Sequence, residues 1–525
     1  AQTGRNRCKE PLAGIRAAIE QLSYSGLNLF DLMIEVDADY AEGYSGEEYG
    51  SKWFSYGYTL QPDGRCNNYF AAMAKPDDMR LPCTITFADT LYNSLCKMGL
   101  TDFEAEEITG EIVNDAVYAR NLFVSELLGI TLKFTEANFS YSNHEASIKS
   151  LVMAGADEFD VITQDLMALS GLASGNFLRN VYNTKVMDYT QPYWYGEAMH
   201  DLQIVEGGMY MLLGDYFTDC LASAHALFTN ESIINDNFGS TEYINEMVFD
   251  GKWTIDQMAT LSEAVARDLN GDGQMTEGDL FGYTCIGTWG SAIPALIGTG
   301  IQYVERSENG IAYCYNNERS VKVLEQLNKM YWNNGTLTNI ADYTSAGLRQ
   351  VFANSQTVIM GYNRLGDLEN LRDIEFGVGI IPYPKLDEAQ ANYVTSLHDS
   401  TEVGAILSTL PPSSDEFVHT CLEVLCRETN KQVIPQWYEN ALKVKYVDGQ
   451  DDAKMIDLIH DTITSPFAVT YNTLLGNYML ATAFLTPLGS KLTDFASNYK
   501  KIEKGANKML DRVYESFVNN IMSGN

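Results

Sequence analysis

The chain has 525 residues, 45% of them hydrophobic, 20% charged and 11% aromatic. That is globular composition, too long for one small domain and long enough to bury large cores without disulfides. Lys and Arg number 35 against 70 Asp and Glu, a net charge of −35. Phosphate backbones and anionic lipid heads are repelled by such a surface, and no dense Lys/Arg run opposes this, so the reading is no nucleic acid and no membrane-surface role.

The first nine residues are polar and basic and hold no apolar core of a signal peptide, so any such segment is expected to be already absent. No apolar run reaches the roughly 18–20 residues that span a bilayer. Nine cysteines are an odd number, and none forms a CxxC pair. Cys421 and Cys426 are five apart in a predicted helix and point to different faces. The six histidines show no HExxH spacing.

Residues 1–80 read as an N-terminal extension of unknown role. A helical apolar pattern (Leu12, Ile15, Ile19, Leu22) precedes a stretch rich in Gly, Ser, Asp and aromatic residues: Tyr40, Tyr44, Tyr49, Trp53, Phe54, Tyr56, Tyr58. Such a cluster is either a carbohydrate face or an extension wrapped on the main body. From residue 81 the signals become regular. CTITF at 83–87 predicts a strand. Ile108, Ile112, Val113, Val117 and Leu127 recur at helical spacing behind Glu104, Glu106 and Glu107, which suit a helix N-terminus, and Gly129 suits a C-cap. ITLKF at 130–134 is the next strand, Ile148, Leu151 and Val152 the next helix, and FDVIT at 159–163 the next strand. This β-α-β-α-β order predicts an α/β fold with parallel strands and crossover helices. Further short buried strands are predicted at 281–286, 357–360, 376–381 and 403–407. A final amphipathic helix carries Phe495, Tyr499, Ile502, Met509, Val513 and Phe517 on one stripe.

The sharpest motif is DLNGDGQMTEGD at 268–279. Oxygen-bearing side chains fall at loop positions 1, 3, 5, 9 and 12, with Gly at 6, a spacing that converges oxygens on one Ca²⁺. The expected metal ligands are Asp268, Asn270, Asp272, Gln274 through its carbonyl, Thr276 and Asp279, and the expected role is a structural Ca²⁺ staple. Asp279 stands where such loops carry Glu. An Asx-rich turn without metal is the competing reading.

No nucleophile elbow, P-loop or complete GxGxxG appears, so the expectation is no enzyme and no catalytic residue. The aromatic groups Tyr193-Trp194-Tyr195, Trp289, Tyr362, Trp437-Tyr438 and Tyr471 lie in or near predicted loops. Flat rings stack on sugar faces while Asp, Arg and His bond hydroxyls. Core packing is the alternative for each ring.

In EIVNDAVYARN at 111–121, EFDVITQD at 158–165, the loop 268–279, FGVGIIPYPK at 376–385 and GAILS at 404–408, the chain resembles the extracellular solute-binding proteins of ABC importers, the group that includes maltose-binding protein. The resemblance covers about residues 81–525. It implies a two-lobed, periplasmic-binding-protein-like α/β fold with a hinge and an interlobe cleft. Lobe 1 would comprise 81–207 and 405–463, and lobe 2 would comprise 208–404 and 464–525, with crossings near Gly207–Leu213, Val403–Leu407 and Thr464. It also implies a monomer outside the cytoplasm (extracellular, cell-surface or periplasmic) that hands a small solute, a sugar or oligosaccharide, to a membrane permease. Lipoproteins of the family begin at a lipidated cysteine, but the residues from Gly4 to Cys8 are not a lipobox. By position, Asp165, Trp289, Tyr362 and Tyr471 correspond to ligand-contacting places in the family. Trp194, Trp437, Arg364, His398 and Asp399 join the candidate ligand set from their placement beside predicted strand ends. A secreted carbohydrate-active enzyme and a glycan-binding surface protein are the rival readings.

Overall fold

The computed structural model describes residues 59–60, 66–67, 83–89, 103–137, 143–156, 158–287, 289–307, 310–443, 450–464 and 466–523. The aromatic stretch at 40–58 and the helical pattern near residue 15 lie outside the described residues. Strands β1 (Thr59–Leu60) and β2 (Cys66–Asn67) pair antiparallel. They are followed by β3 (Cys83–Asp89), β4 (Ile130–Glu136), β5 (Val161–Asp165), β6 (His225–Asn230), β7 (Phe281–Thr284), β8 (Val304–Ser307), β9 (Gly310–Tyr313), β10 (Thr336–Leu337), β11 (Thr357–Arg364), β12 (Val378–Ile381) and β13 (Glu402–Ile406).

Two sheets carry the architecture. The first has the order β13-β5-β3-β4, the second the order β10-β7-β11-β6-β12. In the first, β3 runs parallel to β4 and β5, as the β-α-β-α-β reading expects, while β13 returns antiparallel on β5. The helix Ile112–Leu128 between β3 and β4 starts at Glu111, whose carboxylate accepts the N–H groups of Val113 and Asn114, and ends at Gly129 with φ 62°. A left-handed C-cap of this kind costs glycine nothing sterically. β5, VITQD, is buried along its whole length, its polar residues included. In the second sheet β10, β7 and β11 are parallel, and β6 lies antiparallel between β11 and β12. The closing helix Phe495–Met522 buries Phe495, Tyr499, Ile502, Ala506, Leu510, Val513 and Phe517. Ala506 and Leu510 hold the inward stripe where the sequence reading put Met509.

The sheets are joined by paired connecting segments. Residues 208–217 run beside the first sheet, with Leu212 bridging Gly404, and the chain enters the second sheet at His225. Just before it, Ala224 bridges Leu397. The N–H of His225 donates to Ser396 at 2.9 Å, and that of His398 donates to Ser223 at 3.1 Å. Thr395 also bridges Ile463, which brings the segment ending at Thr464 alongside. β13, from Glu402 to Ile406, lies entirely in the first sheet. Asp219 ties outgoing and returning connections together by accepting the Glu402 N–H at 2.6 Å.

Candidate functional site

The strand directions bring particular residues to one place. The parallel strands β10, β7 and β11 all point their carboxyl ends at the junction between the sheets. Tyr343 follows β10, Gly287 and Gly290 follow β7, and Tyr362 and Arg364 close β11. Open α/β sheets bind ligands beyond such ends. Antiparallel β6 starts at the same end with His225, opposite Arg364 in register. From the first sheet, Asp165 ends β5, paired with Glu402. His398 and Asp399 lie on the connection that returns to β13.

Ring and charge contacts define the cluster. The His225 and His398 rings lie 5.5 Å apart. Tyr362 lies 6.4 Å from His225 and 6.1 Å from His398. Asp399 Oδ1 is 3.0 Å from His398 Nδ1, and its side chain is 44% exposed. The Ser400 N–H donates to the same ring nitrogen at 3.1 Å. Burial, and then the neighbouring Arg364 charge, pushes His398 down to about 3. His225 is pushed down to about 3 by burial and then by His398. The Arg364 guanidinium meets both oxygens of Asp367 at 3.3 Å. Burial raises the carboxyls of Asp399 and Asp219.

Asp165 is 2% exposed. Its Oδ1 caps the helix Leu166–Ser174 by accepting the Ala168 N–H at 2.7 Å, and its Oδ2 is 3.8 Å from His144 Nδ1. Burial raises its pKa above the ordinary carboxylate value, against the Ala168 bond.

The structure thus gathers Tyr362, Arg364, His398 and Asp399, while Asp165 lies buried as a helix cap, close enough to Asp399 for the two charges to interact. Trp289 opens the helix Trp289–Gly298 at the same junction, and its side chain lies outside the described residues. Three aromatic candidates stand elsewhere, in packed interiors. Trp194 is buried and donates its indole N–H to Glu423 at 2.8 Å, beside the Tyr193 hydroxyl at 2.6 Å on the same carboxylate. Trp437 is buried edge-on against Tyr438. Tyr471 packs on Phe467 and donates its hydroxyl to Leu202 at 2.8 Å. A ring whose polar atom is satisfied inside a core presents nothing to a cleft. Sequence reasoning missed His225, Asp367, Tyr383 and Tyr343. Tyr343 is 56% exposed at the rim, its hydroxyl packed over Gly287.

The loop 268–279 folds around its own oxygens. Asp268 accepts the N–H groups of Gly271 (2.6 Å) and Gly273 (2.7 Å), Asn270 that of Asp272, and Asp272 that of Gln274. Asp279 accepts from Leu269 and Thr276, and the Thr276 bond is the first cause that holds its carboxyl below the ordinary value. Among the described residues no three His, Cys, Asp or Glu side chains are grouped to hold a metal. The donors are all oxygen, as a hard cation requires, and each bonded carboxylate oxygen keeps a second lone pair.

No family model and no curated protein matches the chain. Solved structures do. The cyclic α-maltosyl-1,6-maltose binding protein of Arthrobacter globiformis is 15% identical, with 84% of this chain and 99% of that one covered and a TM-score of 0.52. An ABC substrate-binding protein of Listeria monocytogenes in complex with cycloalternan is 12% identical, with 82% and 100% covered and a TM-score of 0.51. An ABC transporter solute-binding protein of Thermotoga lettingae bound with α-D-tagatose is 13% identical, with 82% and 100% covered and a TM-score of 0.50. The chain shares the two-lobed α/β fold of these binding proteins.

Proposed function

We propose that the chain is an extracytoplasmic solute-binding protein that captures a sugar or oligosaccharide and passes it to the permease of an ABC importer. The observation that carries this is the junction between the sheets, where a half-buried ring, Tyr362, meets hydrogen-bonding groups from its own strand and from the connection that returns to β13: Arg364, His398 and Asp399. A sugar offers C–H faces to the ring and hydroxyls to the polar groups. Neutral histidines suit this role, because one ring nitrogen donates and the other accepts. The solved structures of like fold named above hold cycloalternan and α-D-tagatose, which supports a carbohydrate. The reading assigns no catalysis and takes the chain to act as a monomer. A thermal-shift screen of mono- and oligosaccharides tests it: a rise in Tm with at least one sugar is expected, and no rise with any sugar argues for another solute class.

We further infer that the loop 268–279 takes a structural Ca²⁺ through Asp268, Asn270, Asp272, Thr276, Asp279 and the Gln274 carbonyl. The all-oxygen donor set at this spacing supports it.

A further inference from the structure

Tyr362 has φ 62°. A bulky side chain enters the left-handed region only where its surroundings enforce it. Tyr362 occupies the irregularity in β11, where the pairing to β6 shifts between Met360 and Asn363. Irregularities of this kind re-aim a side chain. Three contacts fix this one. The Tyr362 N–H leaves the strand ladder and donates to the Tyr383 hydroxyl at 3.0 Å. Gly361 seats against Tyr283, where a Cβ would come 2.3 Å from the Tyr283 hydroxyl. The Tyr362 ring rests on Gly290, where a Cβ would come 2.6 Å from ring atom Cε2.

The supports are themselves connected. Tyr283, Tyr331 and Tyr383 are all buried. The Tyr331 ring meets Tyr283 edge-on at 5.9 Å, and its hydroxyl donates to the Ser291 carbonyl at 2.7 Å. Ser291 belongs to the same helix as Gly290. Buried tyrosines therefore brace both the bulge that carries Tyr362 and the helix on which its ring lies. Within this group, Tyr383 makes the bond to the freed backbone donor.

Building on the reading that Tyr362 faces the solute, we propose that Tyr383 is a positioning residue: its hydroxyl accepts the N–H that the bulge frees and so sets the aim of the Tyr362 ring. Tyr383 is buried and acts only through Tyr362. Without its oxygen the Tyr362 N–H loses the acceptor seen among the described residues, the contacts at Gly361 and Gly290 alone hold the φ 62° backbone, and the ring loses its fixed aim at the cleft.

Tyr383→Phe removes one oxygen and keeps the ring volume. Hydrogen exchange is read first, residue by residue, on the full chain without sugar. Protection of the Tyr362 amide is expected to fall about 5-fold or more, the scale of one lost hydrogen bond, while the amides of β6 and β7 keep theirs. Unchanged protection at Tyr362 overturns the proposal. A double-mutant cycle with maltotetraose and cycloalternan follows. Tyr383→Phe is expected to weaken binding about 3- to 10-fold alone and to have no effect in a Tyr362→Ala background, which has no ring to aim. An equal loss in both backgrounds marks general packing and overturns the proposal. If Tyr362→Ala alone leaves both affinities unchanged, or neither sugar binds, the proposed sugar site is what fails, and the exchange result still decides whether Tyr383 holds Tyr362.

Discussion

As the N-cap of helix Leu166–Ser174, Asp165 gives one carboxylate oxygen to the Ala168 N–H, and an asparagine caps equally well. Asp165→Asn is therefore expected to leave the apo Tm near wild type, whereas Asp165→Ala loses a cap of about 1 kcal/mol. If Asp165 also serves the solute, both substitutions weaken sugar binding. A loss of affinity confined to the Ala variant would reduce Asp165 to a structural cap. His398 carries a second prediction at this scale. Its ordinary value is 6.5 and it is pushed down to about 3, so between those values the unfolded chain binds the extra proton. Stability must then fall as pH drops from about 6.5 toward 3. Asp165, Asp219 and Asp399 oppose this, because a raised carboxyl takes up its proton earlier in the fold. Comparing Tm between pH 7 and 4 for wild type and His398→Asn separates the two. The variant is expected to lose less, and identical slopes would mean that His398 titrates normally in the fold.

The loop 268–279 is the element with the clearest chemical signature. An ion that binds only the folded loop stabilises by mass action, so Ca²⁺ is expected to raise Tm and a chelator to lower it. Paired Asp268→Ala and Asp272→Ala substitutions should abolish the difference while sugar affinity stays unchanged. An identical Tm with Ca²⁺ and with chelator would leave the loop as an Asx-bonded turn. Element signals explain why part of the site was legible. Asp165, Tyr362, Arg364, His398 and Asp399 lie at or beside strand ends that apolar runs had marked, and strand ends are where such sheets bind. His225 opens a strand too, but its place beside His398 depends on the pairing of Ala224 with Leu397, which no local pattern announces. Tyr383 depends likewise on an irregularity in β11, a strand not adjacent to β12, which Tyr383 follows. The misplaced rings fail for the converse reason. Trp194 is polar enough to line a cleft, but its N–H is satisfied by Glu423, 229 residues away, and composition near a loop cannot reveal that partner.

At the scale of the whole molecule the α/β order was legible, because parallel crossovers impose a repeating apolar rhythm, whereas the antiparallel return of β13 to the first sheet was implied only by the family resemblance. The reading placed a passage between lobes near Gly207–Leu213, and within that segment Leu212 bridges Gly404 of the first sheet. The sheets are joined by paired connections at the junction, and on the proposed reading a solute that touched both sides would reward closure. With a net charge of −35, the molecule's long-range field disfavours strongly anionic solutes. Calorimetric titration of wild type and Tyr362→Ala with maltotetraose and cycloalternan, beside the apo Tm of each, tests this account most directly. Wild type should bind at least one of the two sugars, and Tyr362→Ala should weaken that binding by about 2 kcal/mol, roughly 30-fold, with little change in apo Tm. Equal affinity in the two proteins, or a lower apo Tm with affinity intact, would contradict it and place the solute away from the junction of the sheets.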